Sequence, residues 1–140
     1  MITIENPKDL LSVSLYNIFS YRIDDEAFID LVRDWNKKIL VNIEKFYPVL
    51  INFNGENINF EFRDIQQKPD LKVTMNLSTL LDIAYDRIGP TKAILTGNLK
   101  IKGIYKIGTL LKFKKIFLDT LKMVAADPTD KYYELNQNTK

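Results

Sequence analysis

The side chains in this sequence that could do chemistry are carboxylates, lysines and tyrosines, because its 140 residues include no cysteine and no histidine. Thiolate nucleophiles, Cys/His zinc sites, Ser-His-Asp triads and imidazole proton shuttles are therefore excluded. Two pairs of acids, Asp24-Asp25 and Asp82 with Asp86, could serve acid-base catalysis or bind a metal. Helix capping explains the first pair more simply, and exposed positions one turn apart explain the second. We therefore expect no catalytic residue, no metal, no cofactor and no enzymatic activity.

Lysines are the other chemically prominent group, and they are unevenly distributed. The formal net charge is +2, yet residues 1–70 carry 8 basic and 12 acidic side chains, whereas residues 71–140 carry 12 and 6. Eight lysines and a single acid, Asp119, lie between Lys92 and Lys122. This pattern fits a solvated face, attraction to anionic lipid headgroups or attraction to nucleic-acid phosphates. Nucleic acid is a weaker explanation than lipid headgroups, since aromatic and basic residues do not interleave and the sequence has only four arginines. No glycine loop has the spacing of a P-loop.

The composition is typical of a globular protein, with 46% hydrophobic and 27% charged residues. A chain of this length predicts one domain, here residues 1–126, followed by a loose tail over 127–140. No apolar run approaches the length of a membrane span, and the N-terminus lacks a signal-peptide pattern. The C-terminal Asn138-Thr139-Lys140 is not a peroxisomal signal. We therefore expect a cytoplasmic protein.

The first 47 residues predict two helices. Asn6-Pro7 suits a helix start, and apolar residues then recur at helical spacing at Leu11, Leu15, Ile18 and Phe19. The second helix is predicted to begin at an Asp24 cap and to end at Pro48. Its apolar face would hold Phe28, Leu31, Val32, Trp35, Ile39, Ile43 and Phe46.

After Pro48 the apolar pattern changes to period two, which predicts an antiparallel sheet. Asn54-Gly55 predicts a hairpin turn, with Ile51 opposite Ile58 and Val49 opposite Phe60. A third strand follows the turn at Lys68-Pro69-Asp70, and its inward residues would be Leu71, Val73, Met75 and Leu77. Because all three strands have one apolar and one polar face, helices should cover only one side of the sheet.

The last third of the chain predicts a helix, a strand and a long helix. Ser78 or Thr79 would cap the first helix, whose apolar side is Leu80, Leu81, Ile83 and Ala84, and Gly89-Pro90 would end it. Residues 91–95 read as a short turn, residues 99–102 as a strand, and residues 109–124 as the last helix. This assignment contains four strands, and a fifth would come from residues 1–4 or from a split of 58–65.

The last helix is apolar around most of its circumference. At 100° per residue its polar arc spans only about 80°, whereas a helix on a sheet needs an apolar stripe of little more than about 100°. The polar arc holds Lys112, Lys115, Asp119 and Lys122, and Lys114 falls within the apolar part. One interpretation is a helix wedged between the sheet and another helix, with Lys114 extending outward. The other is that part of the arc lines a ligand cavity or meets a membrane or a partner.

The segment from Leu71 to Lys122 resembles the sterol carrier protein 2 (SCP-2) sterol-binding domain family. The resemblance rests on the strand 71–75, the helix from Ser78, Gly89-Pro90 followed by Ala93, and above all residues 96–103, Thr-Gly-Asn-Leu-Lys-Ile-Lys-Gly, before an apolar helix that carries lysines. It covers residues 48–122 well and the first 47 residues by the order of elements. The motif is structural and not catalytic.

The resemblance implies an α+β fold in which helices cover one face of a five-stranded, mostly antiparallel sheet, with an apolar tunnel between them. Such a tunnel would bind a sterol, fatty acid, acyl chain or isoprenoid without catalysis. The predicted tunnel residues are Met75, Leu77, Leu80, Ile83, Ile101, Phe113, Lys114, Phe117 and Leu121, with Trp35 at the far wall. Lys114 would meet a ligand carboxylate or phosphate. Three alternatives stay open: an interaction module that docks a partner or forms a homodimer, transient contact with an anionic membrane surface, and nucleic-acid binding.

Overall fold

The computed structural model describes residues 2–5, 9–62, 65–103 and 107–127. The strands over these residues are β1 (Thr3–Ile4), β2 (Asn36–Ile43), β3 (Val49–Asn54), β4 (Asn57–Phe62), β5 (Leu71–Met75) and β6 (Leu99–Lys102). The helices are α1 (Leu10–Ser20), α2 (Glu26–Val32), α3 (Leu77–Ala84), α4 (Pro90–Leu95), α5 (Ile107–Phe113) and α6 (Asp119–Ala126). A π-helical turn, Lys114–Leu118, joins α5 directly to α6.

The strands form one mixed sheet in the order β1-β4-β3-β2-β5-β6. The pairs β2–β3, β3–β4 and β5–β6 are antiparallel, whereas β1–β4 and β2–β5 are parallel. The predicted α+β class with a mostly antiparallel sheet is therefore confirmed, with one more strand than expected.

Helices cover one face of the sheet, as the alternation of apolar residues predicted. Phe19 of α1 packs at the centre of this interface, with its ring centroid 5.9 Å from Phe53 of β3 and 6.5 Å from Phe60 of β4. On its other side the Phe117 ring lies 6.4 Å away. One cluster of buried side chains runs from Ile2 to Leu118, so the helices and the sheet share a single core.

The opposite face of the sheet is mainly polar. Asn52 pairs with Asn59 across β3 and β4, and Lys72 pairs with Lys102 across β5 and β6. Leu50 is an exception: it lies on this face, opposite Glu61, and is fully buried. Asn57 and Glu61 also lie on this face.

The long second helix predicted from Asp24 to Pro48 is wrong. It is instead α2 followed by strand β2, which pairs with β3 on one side and β5 on the other. Ile39, Val41 and Ile43 are fully buried or nearly so, and this period-two run of β-branched residues suits a central strand. The helical reading arose because positions 35, 39 and 43 satisfy a four-residue and a two-residue spacing equally well.

The strand count was too low because two strands lie in the first 47 residues. One is β2, which had been assigned to the helix. The other is β1, where Thr3 and Ile4 pair in parallel with Asn57 and Ile58, so the alternative of an N-terminal strand at residues 1–4 is confirmed.

Several predicted caps and turns are displaced by one or a few residues. Asp25 rather than Asp24 caps α2, and Asn76 rather than Ser78 or Thr79 caps α3 by accepting the Thr79 N–H. Leu77 is consequently not an inward strand residue but the exposed first residue of α3. Asp9 caps α1, and the predicted start at Asn6-Pro7 lies outside the described residues.

The hairpin turn occupies Gly55 and Glu56 rather than residues 54–55, and Gly55 has a φ of 63°. Ile51 therefore pairs with Phe60 and Phe53 with Ile58. This register differs from the predicted one by two residues, so every side chain keeps its predicted face. The predicted short turn after Gly89-Pro90 is helix α4, and the strand at 99–102 is confirmed as β6.

Candidate functional site: an apolar pocket between the sheet edge and two helices

A pocket of about 90 Å³ lies where the edge strand β6 meets helices α4 and α5. Strands β5 and β6 supply its floor through Val73, Leu99 and Ile101. The remaining wall residues come from the helical segments and are Pro90, Thr91, Ile94, Leu110, Leu111, Phe113, Lys114 and Leu118. The wall is almost entirely apolar, so the pocket offers an apolar ligand burial rather than directional hydrogen bonds.

The local sequence explains why a pocket forms here. Leu99 and Ile101 point toward the helices because β6 alternates, and Lys100 and Lys102 point away. Gly89-Pro90 starts a new short helix, whose Pro90, Thr91 and Ile94 lie on one side. Gly103 then allows the chain to leave β6 with a φ of 128°, a conformation that side-chain-bearing residues rarely adopt.

The pocket is small for a complete lipid. Ligand pockets that enclose a drug-sized molecule usually measure about 300–1,000 Å³, several times the 90 Å³ found here. The cavity has room for only part of such a molecule. A continuous tunnel through the interior stays a prediction.

Three of the nine residues predicted for the tunnel line this pocket: Ile101, Phe113 and Lys114. Met75, Ile83 and Phe117 lie in the adjoining core, where each is almost completely buried. Leu80 and Leu121 pack partly buried against that core, and Leu77 is exposed. Trp35 is also a core residue, with its ring 4.9 Å from the ring of Phe53.

Sequence reasoning missed the contribution of α4 and part of that of α5. Residues 91–95 were read as a turn, yet Thr91 and Ile94 line the pocket. The available signal was the apolar pair Ile94-Leu95 in a segment with no apolar periodicity of its own. Leu110 and Leu118 belong to the wide apolar arc that had been recognised, but a helical projection does not tell which part of an arc meets a cavity.

Lys114 is the charged side chain in the pocket wall, as far as the described residues show. Its ammonium group lies 3.1 Å from Oδ1 of Asp119, and the two side chains are 40% and 34% exposed. The aliphatic part of the lysine thus contributes to the pocket while its charge stays near solvent, as long cationic side chains commonly do. This arrangement can place a cation next to an acidic headgroup at the pocket mouth.

The π-helical turn at Lys114–Leu118 shapes this part of the wall. The Asp119 N–H donates to the Lys114 carbonyl five residues earlier, which adds one residue to the turn. Residues beyond the turn are therefore rotated by about 100° relative to a regular α-helix.

A buried arginine holds the π-helical turn from the side. Nη1 of Arg22, at the end of α1, lies 3.3 Å from the Lys115 carbonyl oxygen and 3.2 Å from Oγ1 of Thr120. The Thr120 hydroxyl in turn donates to the Ile116 carbonyl at 2.7 Å. The guanidinium also stacks over the Phe28 ring at 5.2 Å. Arg22 was not among the predicted functional residues, because nothing in its local sequence marks it as buried.

Asp25 partners this arginine through a salt bridge of 2.9 Å between Nε and Oδ2. The hydrogen bond from Arg22, followed by the one from the Ala27 N–H, lowers the pKa of the Asp25 carboxyl below its usual value. The first acidic pair is thus a helix cap and an ion pair, as the capping interpretation held. In the second pair, Asp82 contacts Arg87 and Asp86 contacts Lys122.

The described ranges contain no group of three or more metal-ligating side chains. Within the same ranges, no helix is both long and apolar enough to cross a bilayer.

Comparison with solved structures places this fold among sterol carrier proteins. A crystal structure of sterol carrier protein 2 shares 14% identity at a TM-score of 0.57, over 79% of this chain and 92% of that one. UbiJ-SCP2, a ubiquinone synthesis protein, shares 21% sequence identity at a TM-score of 0.59, over 89% of this chain and 100% of that one. The sterol carrier protein domain 2 of Helicoverpa armigera shares 19% sequence identity at a TM-score of 0.60, over 86% of this chain and 95% of that one. At such identities the similarity establishes the fold alone.

The family is established by the sequence. Residues 19–118 match the sequence model of the SCP-2 sterol transfer family, which is most of the chain, and the protein therefore belongs to that family. The matched range includes β6, α4, α5 and every residue of the pocket wall. The sequence matches none of the proteins with curated functions.

Proposed function

We propose that this protein binds and carries an apolar lipid-like molecule without catalysis, and that the pocket between β6, α4 and α5 receives the ligand. The apolar wall around Ile101 and Phe113 is the observation that carries the proposal. Removing apolar ligand surface from water contributes roughly 25 cal/mol per Å², so such a site needs no reacting side chain. Membership in the SCP-2 sterol transfer family supports the same function.

The ligand class that fits is a sterol, a fatty acid, an acyl chain or an isoprenoid. Lys114 is proposed to contact the acidic headgroup of a ligand that has one, while Ile101 and Phe113 contact its apolar part. Phe117 lies next in line, since its ring centroid is 5.4 Å from that of Phe113. A ligand that separates α4 from β6 would therefore extend past Phe113 toward Phe117 and Met75.

The direct test is organic extraction and native mass spectrometry of purified protein, together with titration of an apolar fluorescent probe. Recovery of a lipid, or saturable probe binding that added lipid displaces, is the expected result. If no lipid is recovered and the probe does not bind, the proposal is contradicted.

A pocket-filling variant localises the binding. Ile101→Trp places a larger side chain in the cavity and should reduce probe affinity by about tenfold or more, because the space needed by the ligand is occupied. Ile29→Trp is the matched control, since Ile29 is also half-buried against the core but lies outside the pocket wall. Equal loss of affinity in both variants would show that the probe binds elsewhere.

The main alternative is an interaction module that uses the apolar helix surface to dock a partner or a second copy. A flat, fully packed interior would favour that alternative, whereas the existing cavity favours a carrier. Size-exclusion chromatography with light scattering, run across a range of concentrations, separates the two cases.

A further inference from the structure

The mouth of the pocket is surrounded by exposed apolar side chains. Leu95 of α4 is 82% exposed, and Ile107 of α5 is 70% exposed. Leu111 and Ile94 are 51% and 39% exposed. These four residues, here called the mouth surface, include the two most exposed large hydrophobic residues of the described chain. Such a concentration is unusual for a solvated surface and is typical of an interaction site.

The four side chains lie on or next to the pocket wall. Ile94 and Leu111 belong to the pocket wall itself. Ile107 lies one helical turn before Leu111, and Leu95 one turn after the pocket residue Thr91, so each flanks the wall on its own helix. The mouth surface therefore adjoins the pocket.

The chain segment that carries this surface has charges of one sign only. Residues 90–118, which contain α4, β6, α5 and the π-helical turn, include seven lysines and no acidic residue. Lys92 is exposed one turn before Leu95, and Lys115 is exposed just past Leu111. The acid that follows, Asp119, is paired with Lys114. An apolar patch with exposed cations beside it, on a segment without acidic residues, is complementary to an anionic lipid bilayer, which offers both headgroup charge and an apolar interior.

We infer that the mouth surface docks the protein on anionic membranes, with Leu95 and Ile107 inserted among the lipid headgroups. Lys92 and Lys115 then lie at the level of the phosphates. The pocket mouth faces the bilayer in this orientation, so a lipid can pass between membrane and pocket without crossing water. The inference rests on the proposed function for this consequence, whereas the docking itself does not require a bound ligand.

The test is vesicle co-sedimentation of the purified full chain with two kinds of vesicle. One is pure phosphatidylcholine, and the other contains about 30 mol % phosphatidylglycerol. Binding should occur to the anionic vesicles, should be at least about tenfold weaker to the neutral ones, and should fall as salt shortens the screening length. Equal binding to both vesicles, or binding to neither, would overturn the inference.

Exposed-residue variants then identify the docking face. Leu95→Ser and Ile107→Ser should each weaken vesicle binding by about fivefold, because each removes one inserted apolar side chain. Leu10→Ser is the matched control, since Leu10 is likewise the first residue of its helix, as Ile107 is, and is 67% exposed. A loss in the Leu10 variant as large as that in the Ile107 variant would overturn the assignment.

A charge reversal checks the second component of the surface. Lys92→Glu should weaken binding to anionic vesicles by about fivefold or more and leave the low affinity for neutral vesicles unchanged. Lys68→Glu, on an exposed loop before β5, is the control and should have a smaller effect. Equal effects of the two reversals would indicate attraction to the overall charge and would overturn docking through the mouth.

Probe binding in vesicle-free buffer separates this inference from the proposed function. Variants that lose vesicle binding but keep probe affinity support docking at the mouth. Probe binding without any vesicle binding would refute the docking and leave the carrier function intact. Vesicle binding without any probe binding would support the docking and contradict the carrier function. Self-association abolished by Ile107→Ser, with no vesicle binding, would assign the surface to a second copy of the chain and overturn the membrane inference.

Discussion

Replacing Lys114 with methionine should reduce the preference of the pocket for acidic ligands over neutral ones. The substitution keeps the length and apolar character of the stem that lines the pocket and removes the charge. A fatty acid and the fatty alcohol of equal chain length share the same apolar burial, so their ratio of dissociation constants isolates the headgroup interaction.

The expected change follows from the exposure of the charge and from its present partner. Two charges about 4 Å apart attract by about 4 kcal/mol at an effective dielectric constant of about 20. Lys114 and Asp119 are 40% and 34% exposed, so solvent screens the site strongly, and pairs this exposed typically contribute about 0.2–1 kcal/mol. A ligand carboxylate must also share the lysine with Asp119. We therefore expect Lys114→Met to cost about 1 kcal/mol for the acid, or about fivefold in affinity, and nearly nothing for the alcohol.

Asp119→Asn provides the opposite change. Removing the competing carboxylate frees the Lys114 ammonium group, so the acid should bind about fivefold more tightly and the alcohol as before. Lys112→Met is the control, because Lys112 lies over the Trp35 ring at 5.9 Å and outside the pocket wall. Displacement of a neutral fluorescent probe by each ligand, at low and high salt, measures all four proteins.

An unchanged acid-to-alcohol ratio in Lys114→Met would refute the role of Lys114 at the headgroup. A decrease of the same size in the Lys112 control would refute it as well, since it would indicate a general effect of positive charge. Displacement of the probe by the neutral fatty alcohol serves as the check that each variant keeps its pocket.

The remaining predictions concern stability. Gly103→Ala should lower the free energy of unfolding by about 3 kcal/mol in denaturant titrations, because φ is 128° and the new Cβ would lie 2.6 Å from the Asp70 carbonyl oxygen. Gly108→Ala, with no close neighbour, should instead raise it by about 0.5–1 kcal/mol. Arg22→Met should cost about 2 kcal/mol through its lost buried hydrogen bonds; an unchanged midpoint would contradict that network. The lowered Asp25 pKa stabilises the fold above the unfolded value of 3.8, and this contribution should disappear as pH falls through the folded pKa, with a smaller acid dependence in Arg22→Met.

The strands after Pro48 were predictable because one face of the sheet is buried. Alternation at Val49, Ile51 and Phe53 identifies the buried face without any knowledge of what covers it. The exact turn position was less certain, since Asn54-Gly55 and Gly55-Glu56 turns keep the same faces. A shift of two residues in register therefore left the predicted core intact.

The pattern of β2 could not be assigned from local sequence. Ile39 and Ile43 fit both periods. What selects the strand is pairing with β3 and β5, which come later in the chain: Ile39 pairs with Ile51 and with Leu71. Backbone groups of a central strand are satisfied on both edges, and this long-range gain outweighs local helix propensity. The resemblance to the SCP-2 family predicted the correct fold although β2 was predicted as part of a helix.

The candidate site was predictable in character and only partly in composition. The wide apolar arc of the last helix, with Lys114 inside it, indicated a helix with more apolar surface than a sheet requires. The π-helical turn, which Arg22 contacts from a distant part of the chain, changes the phase of the helix, and no projection of a regular helix could anticipate it.

The sequence by itself determined what kinds of chemistry are open to this protein, since side-chain types are a property of the chain. Without cysteine and histidine it can rely on apolar burial and on lysine charge, and the order of its last elements was enough to indicate the family. The tertiary structure alone decided which apolar residues meet at a cavity and which fill the core, because a pocket is a gap in packing between elements distant in the sequence. Ile101, Phe113 and Lys114 line that gap, whereas Met75 and Phe117 lie behind it.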